Sequence, residues 1–356
     1  MSEPSSQEAR RFGERSIVQL TLARFRGFIR EPEAVFWTFV FPILLAVGLG
    51  VAFRSRAPER PHIGVIRSDS SSVVIASLKS DSSVITDVMD DSAAARALRT
   101  GKAALLIRPT GPGSVEYIFD PARGDAASAR LLADRAIQRG AGRADPVTVA
   151  DRKVTERGSR YIDFVLPGLL GMNLMGSGIW GIGFAIVDQR GKKLLKRFMA
   201  TPMSRSEYLA SFMFSRLFFL VLEVVTLIGF GNLVFGVPLR GSLLILGAIC
   251  LLAALAFAGM GLLIASRART TEGVSGLMNL VMLPMWIFSG VFFSSSNFPA
   301  AVQPIIKLLP LTAVNDALRA NMLEGASLSA VSGEMLVIAG WLVLSFVAAL
   351  KLFRWR

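Results

Sequence analysis

The chain has 356 residues, of which 52% are hydrophobic and only 18% charged, below the roughly one quarter charged of a soluble domain. That balance, with a mean hydropathy of +0.52, excludes an ordinary water-soluble enzyme and implies a membrane protein. The net charge of +13 is what basic loops beside membrane spans produce, so no nucleic-acid partner is expected.

Residues 1–33 read as a cytoplasmic N-terminus. The opening MSEPSSQEARRFGER is polar and has no signal-peptide core directly behind it, so the first apolar run is expected to be a retained helix. In residues 16–30, Ile17, Val18, Leu22, Phe25, Phe28 and Ile29 share one helical face, with Gln19, Arg26 and Arg30 opposite and Arg24 intruding on the apolar side. This is the pattern of a helix lying in the membrane plane, stopped by Glu31-Pro32. Residues 34–53 are apolar and uncharged over the ~20 residues a crossing needs. They form span one, with a kink expected at Pro42.

Residues 54–161 read as an inserted α/β domain. HIGVI, AALLI and SVEYIFD have the composition of strands, whereas SSVVIASLKS, DDSAAARALRTG and ASARLLADRAIQRG have helical apolar spacing. In the last of these, Leu131, Leu132, Ala136 and Arg139 are expected to mark one buried face. The lone histidine, His62, begins HIGVI and reads as a surface or strand-edge residue, and no Cys or His pair stands at metal-ligand spacing. The lone cysteine, Cys250, excludes an intramolecular disulfide.

Five further spans follow, at 162–187, 207–235, 241–266, 273–293 and 334–353, giving a polytopic α-helical protein with six transmembrane helices. The second is glycine-rich and is expected to be a close helix–helix interface. After the fifth, serines and prolines break the helix, and 298–309 reads as a short helix in or dipping into the outer interface, with Trp286, Phe292 and Phe293 at the boundary. The loop after span two holds Arg190, Lys192, Lys193, Lys196, Arg197 and Arg205. The loop after span four holds Arg267 and Arg269, and the tail Lys351, Arg354 and Arg356; the loop between spans three and four holds only Arg240. Both termini and the 188–206 loop are therefore expected in the cytoplasm, and the inserted domain outside.

Within that loop, Lys192, Lys193, Lys196 and Arg197 fall on one helical arc, and Leu194, Leu195, Phe198 and Met199 on the other. Thr201 then makes an N-cap with Pro202 at the first helical position, and Ser204-x-x-Glu207 is a capping box before span three. Topology alone accounts for the charge, but it does not account for four apolar residues kept on the cytoplasmic side. Those need lipid or a protein surface.

The run YIDFVLPGLLGMNLMGSGIWGIGFAIV…KKLLKRFMATPMSRSEYL resembles the permeases of ABC-2 type ATP-binding-cassette exporters, as do FRGFIREPEAVFWTFVFPILL and LLPLTAVNDALRANMLEG. The likeness covers the chain in order, the insertion by placement more than by motif. It implies a membrane half-transporter whose loop after span two is a coupling helix docking on a cytoplasmic ABC ATPase. Lys192 to Met199, Thr201 and Pro202 would make that contact, and the interfacial helix would also touch the ATPase. A second permease copy or a related permease, membrane lipid and a periplasmic partner for the outer domain complete the implied assembly, in a bacterial inner membrane. Neither Gly101-Lys102 nor Gly191-Lys192 sits in a P-loop. The chain is therefore expected to hold no cofactor or metal of its own, with ATP and magnesium on the separate ATPase.

Inside the spans, Glu223 is the conspicuous polar residue, near mid-membrane by count from Glu207. Its expected uses are a buried hydrogen bond with Asn173 or Asn279, or a place in the translocation path. Asp316 and Arg319, three apart, read as a local salt bridge or helix cap. Two other functions compete with the exporter: a proton- or ion-coupled secondary transporter using Glu223, although no matching halves are visible, and a sensor or scaffold whose outer domain binds ligand.

Overall fold

The fold is that of a computed structural model, which describes residues 16–53, 60–68, 70–111, 113–144, 147, 158, 160–191, 205–267 and 270–352. In chain order, α1 is Ser16–Arg30 and α2 is Pro32–Ala52. Then come β1 (His62–Ile66), α3 (Ser71–Ser80), β2 (Ile85–Met89), α4 (Asp91–Arg99), β3 (Leu105–Gly111), β4 (Ser114–Ile118) and α5 (Gly124–Gly140). The remaining helices are α6 (Tyr161–Gly191), α7 (Arg205–Phe235), α8 (Leu243–Arg267), α9 (Thr271–Phe288), α10 (Gln303–Leu308), α11 (Pro310–Arg319) and α12 (Ser332–Leu352). The chain divides into two compact units, Ser55–Val154 and the remainder.

The smaller unit is a four-stranded sheet in the order β2-β1-β3-β4, with β1 parallel to β2 and β3, and β4 antiparallel to β3. Alternation along β1 sends Ile63 and Val65 to one face, with Leu78 of α3 and Ala129, Ala133 and Ala136 of α5. Ile66 goes to the other face, with Ala94 and Ala97 of α4. The buried stripe of α5 is thus made of alanines: of the expected face Ala136 is buried and Leu132 partly so, whereas Leu131 is 67% exposed and Arg139 is exposed. Small side chains let α5 lie close, so that a Cβ on Gly140 would stand 1.9 Å from Ser77 Oγ. β2 was not expected, because ITDVM carries Thr and Asp where a strand signal wants apolar residues. Its position at the sheet edge tolerates them. His62 opens β1, an inner strand of the sheet, and its Nδ1 lies 3.1 Å from Asp87 on β2, where both side chains are exposed.

Among the described residues of the larger unit, five helices are long and apolar enough to cross a membrane: Pro32–Ala52, Tyr161–Asp188, Ser215–Phe235, Leu243–Ser266 and Ser332–Leu352. The segment expected to cross at 273–293 is an 18-residue helix, α9, and is not among the five. At 1.5 Å per residue it is about 27 Å long. It stops early because Ser289 and Gly290 follow, and Gly290 has φ +69°, a left-handed conformation that ends a helix. Beyond it the expected 298–309 helix shortens to α10, preceded by single 3₁₀ turns at Ser295–Asn297 and Ala300–Val302. α11, which the sequence reading left unassigned, is buried along most of its length, from Pro310 to Leu318.

α6 is the organising helix. Its glycines let neighbouring helices come close: a Cβ on Gly178 would stand 2.7 Å from Phe257 Cβ, and one on Gly261 of α8 would stand 2.6 Å from the Ile179 carbonyl. On the same side a Cβ on Gly168 would meet the Val291 carbonyl at 2.7 Å, and one on Gly171 would meet Asn315 Oδ1 of α11 at 2.1 Å. The glycine-rich sequence therefore buys backbone approach, and with it dispersion contacts along two neighbouring helices.

Candidate functional site

The opposite side of α6 is polar. The starting point lies in α2, where Pro42 has no N–H to offer the carbonyl of Thr38, four residues earlier. α2 adapts with a π-helical turn at Phe36–Val40, and Asn173 of α6 donates its Nδ2–H to the Thr38 carbonyl at 3.0 Å. A neighbouring helix thus satisfies the backbone group that proline freed, which hydrocarbon would otherwise leave orphaned at a cost of several kcal/mol.

One turn along, Ser177 Oγ stands 2.8 Å from the Asn173 carbonyl and 3.0 Å from Glu223 Oε2 of α7. Arg216 of α7 donates from Nη2 to Ser177 Oγ at 2.8 Å and from Nη1 to Glu223 Oε1 at 3.2 Å. Ser177 has a single hydroxyl proton and two acceptors within reach, so it serves the Asn173 carbonyl or the Glu223 carboxylate, not both fully. Glu223 is 2% exposed, and the Arg216 side chain 18%. Two charges so buried are tolerable only because they face each other, and removing one leaves the other uncompensated. The string runs from the Thr38 carbonyl through Asn173 and Ser177 to Glu223 and Arg216, linking α2, α6 and α7.

The expected partners of Glu223 are therefore corrected. It bonds Ser177 and Arg216, not Asn173 or Asn279. Asn279 is exposed on α9, away from the string, whereas Asn173 is 8% exposed and belongs to it through α2. Arg216 and Ser177 escaped the sequence reading, although both left a signal. Arg216 precedes Glu223 by seven residues, two helical turns, and Ser177 follows Asn173 by four. Lys192, Lys193, Leu194, Leu195, Lys196, Arg197, Phe198, Met199, Thr201 and Pro202 all lie outside the described residues, as does Ser204; α7 begins at Arg205.

Two further polar fixtures frame the helices. Asp163, fully buried, accepts from the backbone N–H groups of Gly158 and Arg160 and from the Arg160 guanidinium at 2.8 and 2.9 Å. The hydrogen bond to Asp163 raises the pKa of Arg160 above its usual value. On α11, Arg319 pairs with Asp316 at 3.6 Å, as its spacing suggests. It also donates to the carbonyls of Phe164 and Gly290, and it lies 3.8 Å over the Phe164 ring. Asn315 donates to the Ser289 carbonyl at 2.8 Å. α11 is in this way tied to the end of α9 and the start of α6.

Residues 33–351 match the profile of the ABC-2 family transporter proteins. Over 165 residues, 46% of this chain, there is 28% identity with the "Probable multidrug ABC transporter permease YbhS" of Escherichia coli K12, covering 43% of that protein. Over 199 residues, 54% of this chain, there is 27% identity with ABC transporter G family member 20 of Dictyostelium discoideum, covering 27% of that protein. Nodulation protein J of Bradyrhizobium diazoefficiens is 36% identical over 107 residues, 30% of this chain and 40% of its own length. The chain thus spans less than half the length of each of these relatives.

Proposed function

The chain belongs to the ABC-2 family of transporter proteins, and we propose that it is the membrane permease subunit of an ATP-driven exporter, moving an amphiphilic or lipid-like cargo outward. A separate ABC ATPase supplies the energy, and a second permease, identical or related, completes the membrane pathway by alternating access. In this reading α9 is the fifth of six crossings, α10 lies at the outer interface, both termini are cytoplasmic and residues 55–154 face outward from a bacterial inner membrane.

The observation that supports this most is the pairing of α6 with α7 through Ser177, Glu223 and Arg216. These are the helices on either side of the basic loop at 188–206. A push on that loop by an ATPase would reach both helices, and the shared hydroxyl of Ser177 gives them two ways to bond. Multidrug transport in the name of the Escherichia coli relative agrees with an amphiphilic cargo. Glu223 held by a guanidinium serves position and charge balance better than proton carriage, which weighs against a proton-coupled secondary transporter.

The test is capture of the tagged chain from native membranes, followed by mass spectrometry of bound proteins. A P-loop ATPase is expected with the wild type and absent with Leu195→Asp combined with Phe198→Asp, while the permease stays in the membrane. Unchanged capture and unchanged ATP-dependent transport would sink the coupling-helix assignment. Transport by Glu223→Gln that varies with pH unlike the wild type would revive the proton-coupled reading.

A further inference from the structure

α1 packs on α7 through aromatic contacts. Phe25 meets Phe218 edge-on at 5.1 Å between ring centroids, and Phe28 meets Phe219 at 4.3 Å. Because α2 begins directly after α1, the three helices border an open groove of about 520 Å³ whose walls include Phe28, Phe36, Phe39, Leu222 and Thr226. That volume is within the ~300–1,000 Å³ of small-molecule sites, and Thr226 supplies the one side-chain hydroxyl among the described lining residues.

Around α1 the side chains grade from the packed phenylalanines, through Leu22 at 40% and Ile29 at 55% exposure, to exposed Arg26 and Arg30. A helix graded in this way sits at the boundary of headgroups and acyl chains. Glu31 and Glu33 are exposed where α1 turns into α2. Residues 26–33 thus offer two arginines and two glutamates beside an apolar groove.

We propose that the groove seats one acyl chain of a phosphatidylethanolamine from the bilayer, with its phosphate at Arg26 and Arg30 and its ammonium at Glu31 and Glu33. The occupant follows from charge. The turn is neutral overall, so a purely anionic headgroup gains from the arginines and loses to the glutamates, while a zwitterion meets both signs. The primary ammonium adds hydrogen-bond donors for the carboxylates, which a quaternary choline lacks. This rests on reading α1 as the interfacial helix of a membrane permease. Lipid retention needs neither ATPase nor cargo, so it fails or stands separately from the transport reading.

The experiment is native mass spectrometry of the delipidated full-length chain, offered phosphatidylethanolamine, phosphatidylcholine or phosphatidylglycerol with matched chains. Phosphatidylethanolamine is expected to be retained about tenfold better than phosphatidylglycerol. Thr226→Trp, which fills the groove, lowers that retention about tenfold, whereas Leu280→Trp on the exposed face of α9 does not. Glu31→Gln with Glu33→Gln, both at exposed positions, shifts the preference toward phosphatidylglycerol. Equal retention of the three lipids, or a folded Thr226→Trp protein that keeps phosphatidylethanolamine like the wild type, overturns the proposal. Should Thr226→Trp fail to fold, the glutamate pair still decides, because an unchanged preference there overturns it as well.

Discussion

The two sides of α6 hold their neighbours by different physics. Toward α8 the contact is glycine against backbone, with Gly178, Gly183 and Gly261 each placed where a single added methyl would collide. Toward α2 and α7 the contact is a handful of directional bonds through Asn173 and Ser177. Close packing spreads its stabilisation over many weak contacts and has one good arrangement. A polar string concentrates its stabilisation in a few bonds and leaves a choice of partners, since the Ser177 hydroxyl has two acceptors within reach. In the proposed transporter the glycine side would therefore be the fixed frame, and the polar side the place where α6 and α7 change register.

The largest effect is expected where the polar side is broken unevenly. Glu223→Ala leaves Arg216 charged and largely buried, and should destabilise by about 3–5 kcal/mol, whereas Arg216→Met combined with Glu223→Leu should recover most of the loss. Cys250 is buried on α8 and is the single cysteine of the chain, so a thiol-reactive fluorophore reports unfolding without an added label. If the double variant keeps wild-type stability yet loses transport, the ion pair serves movement rather than assembly. If both variants melt like the wild type, the string carries no weight.

On the glycine side the expected loss is smaller and purely steric. Gly261→Ala would place its Cβ 2.6 Å from the Ile179 carbonyl, a backbone atom that cannot swing away. The cost should be about 1–3 kcal/mol, read by the same Cys250 reporter. Gly247→Ala on the same helix meets nothing within 4 Å and should be neutral or slightly stabilising. Equal melting of the two would mean that α6 and α8 are not held by backbone approach, and the contrast between the two sides would collapse.

Much of this was legible in the residues. The glycine spacing of span two announced a close interface, and the apolar runs announced the long helices, because both signals are local and repeat with the helical turn. What was lost depended on partners far along the chain. Arg216 lies inside span three, and its use emerges only with Glu223 two turns along on the same face. Asn173 looked like a partner for a carboxylate, when its use is to repair the backbone of α2 opposite Pro42. α11 carries only the Asp316–Arg319 spacing as a local sign of helix, whereas its burial depends on Gly168 and Gly171 of α6, which leave it room. Residues 194–199, expected from the sequence to face an ATPase, fall outside the described residues, so the sequence remains their only witness.

The smallest effect is the most diagnostic, because it tests why an asparagine stands at position 173. If Asn173 is there for the carbonyl that Pro42 leaves unbonded, Asn173→Ala should cost about 1 kcal/mol, in line with interhelical hydrogen bonds in membranes. The cost should shrink when residue 42 can donate its own N–H. In Pro42→Ala the amide of residue 42 reaches back to the Thr38 carbonyl, so Asn173→Ala in that background should cost little. The two substitutions would then show a coupling of about 1 kcal/mol in a double-mutant cycle. If instead the costs add, Asn173 acts through Ser177 and Glu223 alone. The string would then end at α6, and α2 would be free to move without disturbing the charge pair on α7.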